Sequence, residues 1–126
     1  MCSSDLVTVP AALPHVQAGR IRALAVGSPK RAAALPDLPT VSEAGLPGYD
    51  VSAWNGILLP ARTPAAIVAR LNGEIAKFAH AREQQERAIA QGSDLVSNSP
   101  AEFVAYLKAQ MAKWSKVVRE AGVRAD

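Results

Sequence analysis

Residues 27–48 constrain what this chain can fold into more than any other stretch. Gly27, Pro29, Pro36, Pro39, Gly45, Pro47 and Gly48 interrupt it at intervals too short for a regular helix or strand. Proline removes a backbone donor and fixes φ, while glycine leaves the backbone unrestrained. The stretch therefore reads as a long connection and as the natural place for a change of domain. One local device survives inside it. Thr40-Val41-Ser42-Glu43 has the form of a capping box, in which hydroxyl and carboxylate satisfy each other's free N–H groups. Any helix it opens must be short, because Gly45, Pro47 and Gly48 follow.

The flanking sequence alternates between extended and helical patterns. Val7-Thr8-Val9 is β-prone, residues 11–18 suit a short helix, and Gly19 supplies a left-handed stop. Residues 21–26 alternate as a strand does, and 50–59 form a second extended run ended by Pro60. Thr63-Pro64 reads as an N-cap followed by a first-turn proline. Ile67, Leu71, Ile75 and Phe78 then mark one helical face. A polar helix over 81–91 carries Glu83 and Arg87 in the favourable i,i+4 order, and Gly92 stops it. Residues 94–97 read as a short strand. Ser99-Pro100-Ala101-Glu102 opens a long helix with an apolar stripe of Phe103, Leu107, Met111, Trp114, Val117 and Val118, closed by Gly122. Such alternation predicts α/β layers. Four strands, two of them very short, are thin for a sheet covered on both faces, so the pattern predicts part of a larger fold.

With 126 residues, 49 % hydrophobic and 20 % charged, the composition is that of a globular chain. Aromatics are 5 %, so a core must rest on Ala, Val, Leu and Ile. The charge of +3 arises from 14 basic and 11 acidic residues spread along the chain. That distribution lacks the basic stripe of a nucleic-acid-binding protein. No run of 18 apolar residues is present to form a spanning helix.

The opening Met1-Cys2-Ser3-Ser4-Asp5-Leu6 is anomalous. Cys-Ser-Ser-Asp-Leu is the translation of TGC TCT TCC GAT CTN, the end of a common sequencing adapter, and residues 1–6 are expected to be adapter read-through. On that expectation the natural chain has lost its N-terminal part, and the lack of a signal peptide says nothing about location. Cys2 is the only cysteine, which excludes an intrachain disulfide or a Cys-x-x-Cys site.

Catalytic chemistry finds little support. His15 and His80 lie far apart, and His80 with Glu83 falls short of the four ligands of a structural metal site. Glu83 and Glu86 sit in a strongly polar helix and read as a solvated face. Nucleophile elbow, dinucleotide fingerprint and P-loop are all missing. No catalytic residue, metal ligand or cofactor is therefore expected. Trp54-Asn55-Gly56 stands apart. A packing strand prefers β-branched residues at such positions. Here an indole, an amide and a close-approach glycine follow a Pro/Gly-rich connection, which suits either ligand contact or local packing at a hinge.

Several runs together are similar to the C-terminal portion of the solute-binding receptors of tripartite tricarboxylate transporters, the Bug family. They are Leu13 through Gly19 to Val26, Lys30-Arg31, and Leu35 through Pro39 to Gly45, followed by Trp54-Asn55-Gly56. Further matches are Pro60-Ala61-Arg62-Thr63-Pro64, Leu71-Asn72 and the closing Lys113-Trp114-Ser115-Lys116-Val117-Val118. The likeness covers about residues 7–126. Arg62 departs from it, standing where the family usually has Gly.

The resemblance implies the C-terminal part of a type II periplasmic binding-protein fold, in which two α/β domains close on a ligand about a hinge, truncated at the N-terminus. Residues 7–52 would finish the second domain and return across the hinge. Residues 53–126 would supply the last part of the first domain. Ser52, Trp54, Asn55 and Gly56 would then lie near the ligand, with Thr63 and Pro64 at the far end as structural caps. The implied role is non-enzymatic. In the periplasm, the full-length parent would capture a small organic acid, a carboxylate, and deliver it to membrane permease subunits. A different class of function remains open: a genuine short interaction or assembly module that reuses this half-fold through an unpaired sheet edge.

Overall fold

The computed structural model describes residues 5–123, so the first four of the six adapter-like residues lie outside the described part. Four helices organise the chain: α1 (Val9–Gln17), α2 (Ala65–His80), α3 (Arg82–Ala90) and α4 (Pro100–Glu120). Their ends follow local rules. At α1, α3 and α4 the chain leaves through a left-handed glycine, Gly19, Gly92 and Gly122, with φ of 68°, 79° and 65°. Each closes a paired Schellman arrangement. At α1, Gly19 N donates to Val16 O at 3.0 Å and Arg20 N to His15 O at 2.9 Å. At its other end α4 forms the full Ser99–Glu102 capping box.

Two N-termini differ from expectation. Helix α1 starts at Val9, two residues early, because Pro10 suits the first turn and its missing N–H costs nothing there. Thr63 does not cap α2. Its hydroxyl turns back to donate to Pro60 O at 2.8 Å, and Pro64 takes the N-cap position without a side-chain bond. The Thr40–Glu43 box forms reciprocally: Thr40 N donates to Glu43 Oε2 at 2.8 Å, and Glu43 N donates to Thr40 Oγ1 at 3.0 Å. It closes a single turn, as the glycines beyond it require.

The expected strands are corrected. Among the described residues no strand ladder forms, and the only bridge is a parallel one between Val26 and Thr40. Val26 N donates to Pro39 O and Val41 N donates to Val26 O, both at 2.9 Å. Alongside it, Val51 N donates to Gly27 O at 2.8 Å. Segments near 26, 40 and 51 thus lie side by side with one or two bonds each. The segment at 26–27 lies in the middle, Pro39 lacks a donor on one side of it, and a strand without a neighbour has nothing to pair with. Residues 94–98 are extended for another reason: side chains of the helices hold them. Asn72 Nδ2 donates to Asn98 O at 2.8 Å, Gln85 Nε2 donates to Leu95 O at 3.2 Å, and Ser97 Oγ hydrogen-bonds His80 Nε2 at 2.9 Å. A second bond from Gln85 Nε2 to Ala79 O secures the α2–α3 corner.

The buried set is small: Leu13, Val26, Ala32, Thr40, Ala79 and Ala88. Accessible surface totals 10204 Å², whereas a folded monomer of 13.2 kDa exposes about 6,400 Å². Apolar helix faces share in that exposure. Ile67, Leu71, Ile75 and Phe78 of α2 are all exposed, as are Met111, Trp114, Val117 and Val118 of α4. Their helical spacing predicts a core stripe, but an amphipathic helix buries its stripe only when a second layer faces it. α2 packs mainly against α3, through the corner at Ala79.

Candidate functional site

Segment 50–56 runs along α4, and the two together build the candidate site. Asp50 follows Gly48, whose φ of 81° turns the chain out of the Pro/Gly connection. From α4, Lys113 donates from Nζ to the Asp50 carbonyl oxygen and stands 3.3 Å from Asp50 Oδ2. Ser52 Oγ donates to Asp50 Oδ1 at 3.1 Å. Trp54 then enters a notch on α4, edge-on to Phe103 with centroids 6.0 Å apart and to Tyr106 at 5.3 Å. Such edge-to-face geometry sets the positive rim of one ring against the negative face of the other. Gly56 fits because it lacks a side chain, since a Cβ there would strike the Phe103 ring.

The four residues singled out from sequence thus divide. Ser52, Trp54 and Gly56 join one cluster with α4, and Ser52 is half-buried. Trp54 remains 40 % exposed, so part of its indole faces solvent beside the contacts. Asn55 points to the exposed side and makes no hydrogen bond within the described residues. The backbone from 52 to 59 finds no backbone partner among the described residues. This leaves a row of N–H and C=O groups open to a ligand, to water or to another chain.

Sequence reasoning missed Asp50, Tyr106 and Lys113. A signal was available. Phe103, Tyr106, Gln110 and Lys113 recur at three, four and three residues, a second helical face beside the apolar stripe. Burial raises the Tyr106 phenol above its ordinary value, and the Asp50 charge raises it further. Elsewhere His80 is bonded to Ser97, and Glu83 pairs with Arg87 at 2.7 Å, as the i,i+4 order predicts. Among the described residues no three metal-ligating side chains come together, and no helix is long and apolar enough to cross a membrane.

A second concavity of about 620 Å³ opens between the end of α1 and residues 34–38, with Ile21, Arg22, Leu35 and Asp37 among its walls. It shares no residue with the 50–56 segment.

Comparison with known proteins places this architecture. The family model of the tripartite tricarboxylate transporter family receptor matches residues 2–123. Protein BugT of Bordetella pertussis is 31 % identical over 122 residues, which are 97 % of this chain and 37 % of BugT. A UPF0065 protein from the tcbD-tcbE intergenic region of Pseudomonas sp. is 35 % identical over 113 residues, 89 % of this chain and 34 % of that protein. Among solved structures, R. palustris Rpa4515 with adipate matches with a TM-score of 0.78 at 37 % identity, covering 90 % of this chain and 38 % of Rpa4515. The periplasmic binding protein BugD matches at 0.76 and 31 %, covering 91 % of this chain and 39 % of BugD. The chain therefore spans little more than a third of the length of these relatives. Agreement of sequence along nearly the whole chain, and of backbone with solved binding proteins, assigns it to the tripartite tricarboxylate transporter receptor family.

Proposed function

We propose that this chain is the C-terminal portion of a periplasmic solute receptor whose whole form captures a small organic acid and passes it to the permease subunits of its transporter. Residues 7–52 finish one domain and return across the hinge, and residues 53–126 complete the other. The observation that carries the reading is the likeness to the adipate-bound receptor in both sequence and backbone. The site chemistry agrees with it. Unpaired backbone N–H groups beyond Ser52 suit a carboxylate, which backbone donors and bridging waters hold without a dedicated arginine. Trp54 offers a flat apolar wall for a carbon chain, and Asn55 offers an amide to either carboxylate oxygen or water. Binding and release, with hinge closure between them, require no catalytic group.

The test is a chimera in which residues 7–123 replace the matching part of the adipate-bound receptor. The expected result is saturable binding of a short dicarboxylate by calorimetry, weakened by Trp54→Ala and by Asn55→Ala. The 126-residue chain alone should bind weakly or not at all. A chimera that melts cooperatively yet binds no carboxylate overturns the reading.

A further inference from the structure

We propose that Lys113 is the positioning residue of the 50–56 segment, fixing where Ser52 and Trp54 stand. Its bearing on ligand capture rests on the reading above; the positioning itself does not.

The argument begins at one peptide unit. The carbonyl oxygen of Asp50 and the N–H of Val51 belong to the same plane. Lys113 Nζ holds that oxygen, and Gly27 O accepts from that N–H at 2.8 Å. The plane is thus gripped from both sides by residues far away in sequence. The same ammonium reaches Asp50 Oδ2 at 3.3 Å, while Oδ1 of that carboxylate accepts from Ser52 at 3.1 Å. One cation therefore fixes the peptide direction, the Asp50 rotamer and, through it, the Ser52 hydroxyl. Local bonds reach only as far as Tyr49, whose N–H donates to Leu46 O at 3.1 Å.

α4 also sets the distance. Lys113 and Tyr106 are seven residues apart, about 10.5 Å along the axis. An extended run from Asp50 to Trp54 covers about 13 Å. The segment runs antiparallel to α4, so a chain anchored at Lys113 delivers the indole into the Phe103–Tyr106 notch. An exposed ion pair alone contributes little. The ammonium here also carries a bond to the backbone, and that bond converts weak attraction into direction.

The test uses the 126-residue chain with Trp114→Phe throughout, so that Trp54 is the sole tryptophan. Acrylamide quenching and near-UV circular dichroism report its surroundings without any ligand. Lys113→Met should at least double the quenching constant and remove the near-UV band while far-UV helicity is kept. Lys113→Arg should restore the parent signal, and Lys108→Met, on the exposed side of α4, should leave it untouched. The proposal is overturned if Lys113→Met leaves Trp54 as shielded as in the parent, or if Lys108→Met exposes it equally. It is also overturned if Trp54 in the parent is already as accessible as free tryptophan. A chimera that fails to bind carboxylates while these variants behave as stated sinks the receptor reading and leaves the positioning role standing.

Discussion

Gly27 and Val51 meet backbone to backbone. Val51 N donates to Gly27 O at 2.8 Å, and a Cβ on Gly27 would fall 2.6 Å from the Val51 carbonyl oxygen. Two segments separated by the whole Pro/Gly connection approach this closely only because one of them has no side chain. Gly27→Ala should therefore force them apart and cost about 1–3 kcal/mol, measured by denaturant unfolding. Gly73→Ala, within α2 and facing open space, should instead stabilise by about 0.5–1 kcal/mol. Equal effects from the two substitutions would contradict the close approach.

The two capping boxes predict an acid limit. Glu43 titrates below its ordinary 4.5 because the Thr40 N–H donates to it, with Arg31 adding to the effect. Glu102 is lowered chiefly by the Ser99 N–H. Lowered carboxyls stabilise the folded state fully above the ordinary value and lose that contribution as pH falls through the depressed one. Thermal melts followed from neutral to acid pH should show a decline below about pH 4.5. Glu43→Gln with Glu102→Gln should flatten it, and an unchanged slope would count against the boxes.

Tyr106 predicts the opposite limit. Its phenol is raised above 10.0, first by burial and then by the Asp50 charge. A raised acid favours the folded state below the ordinary value, and that contribution is lost as pH rises through the raised one. Spectrophotometric titration should reveal a late tyrosinate component that Tyr106→Phe removes. Asp50→Asn should move that component back toward the ordinary range.

The open segment predicts self-association. Ile57 is 66 % exposed and Leu58 73 %, on a backbone without partners among the described residues. A bare, apolar, extended edge is a template for another chain. Light scattering should show concentration-dependent growth of the isolated chain, reduced by Ile57→Lys with Leu58→Thr. A monodisperse parent that does not change with concentration would refute the expectation.

What could be read from sequence was what is local. Ser99 and Glu102, or Gly19 and Gly92, act on backbone groups within a few residues, so those helix ends are legible, while the starts of α1 and α2 are not. The family was legible for a similar reason, since runs such as Trp54-Asn55-Gly56 keep their order and spacing. Strands were not legible, because a strand is a relation between distant segments. Residues 94–97 look like a strand and, with Asn98, are instead held by Asn72, His80 and Gln85. The stripe of Ile67, Leu71, Ile75 and Phe78 announces a buried face, yet only an opposing layer buries it. Lys113 reads as a cation suited to a helix C-terminus. Its bond to Asp50, 63 residues earlier, is written in the fold and not in the local pattern.

That separation of 63 residues has a consequence during synthesis. A ribosome adds about 5–20 residues per second, so Asp50 is added roughly 3–13 s before Lys113. For that interval Trp54 has no notch to enter, and Asp50 has no cation to hold it. Segment 50–56 can therefore take its place only once α4 has been added.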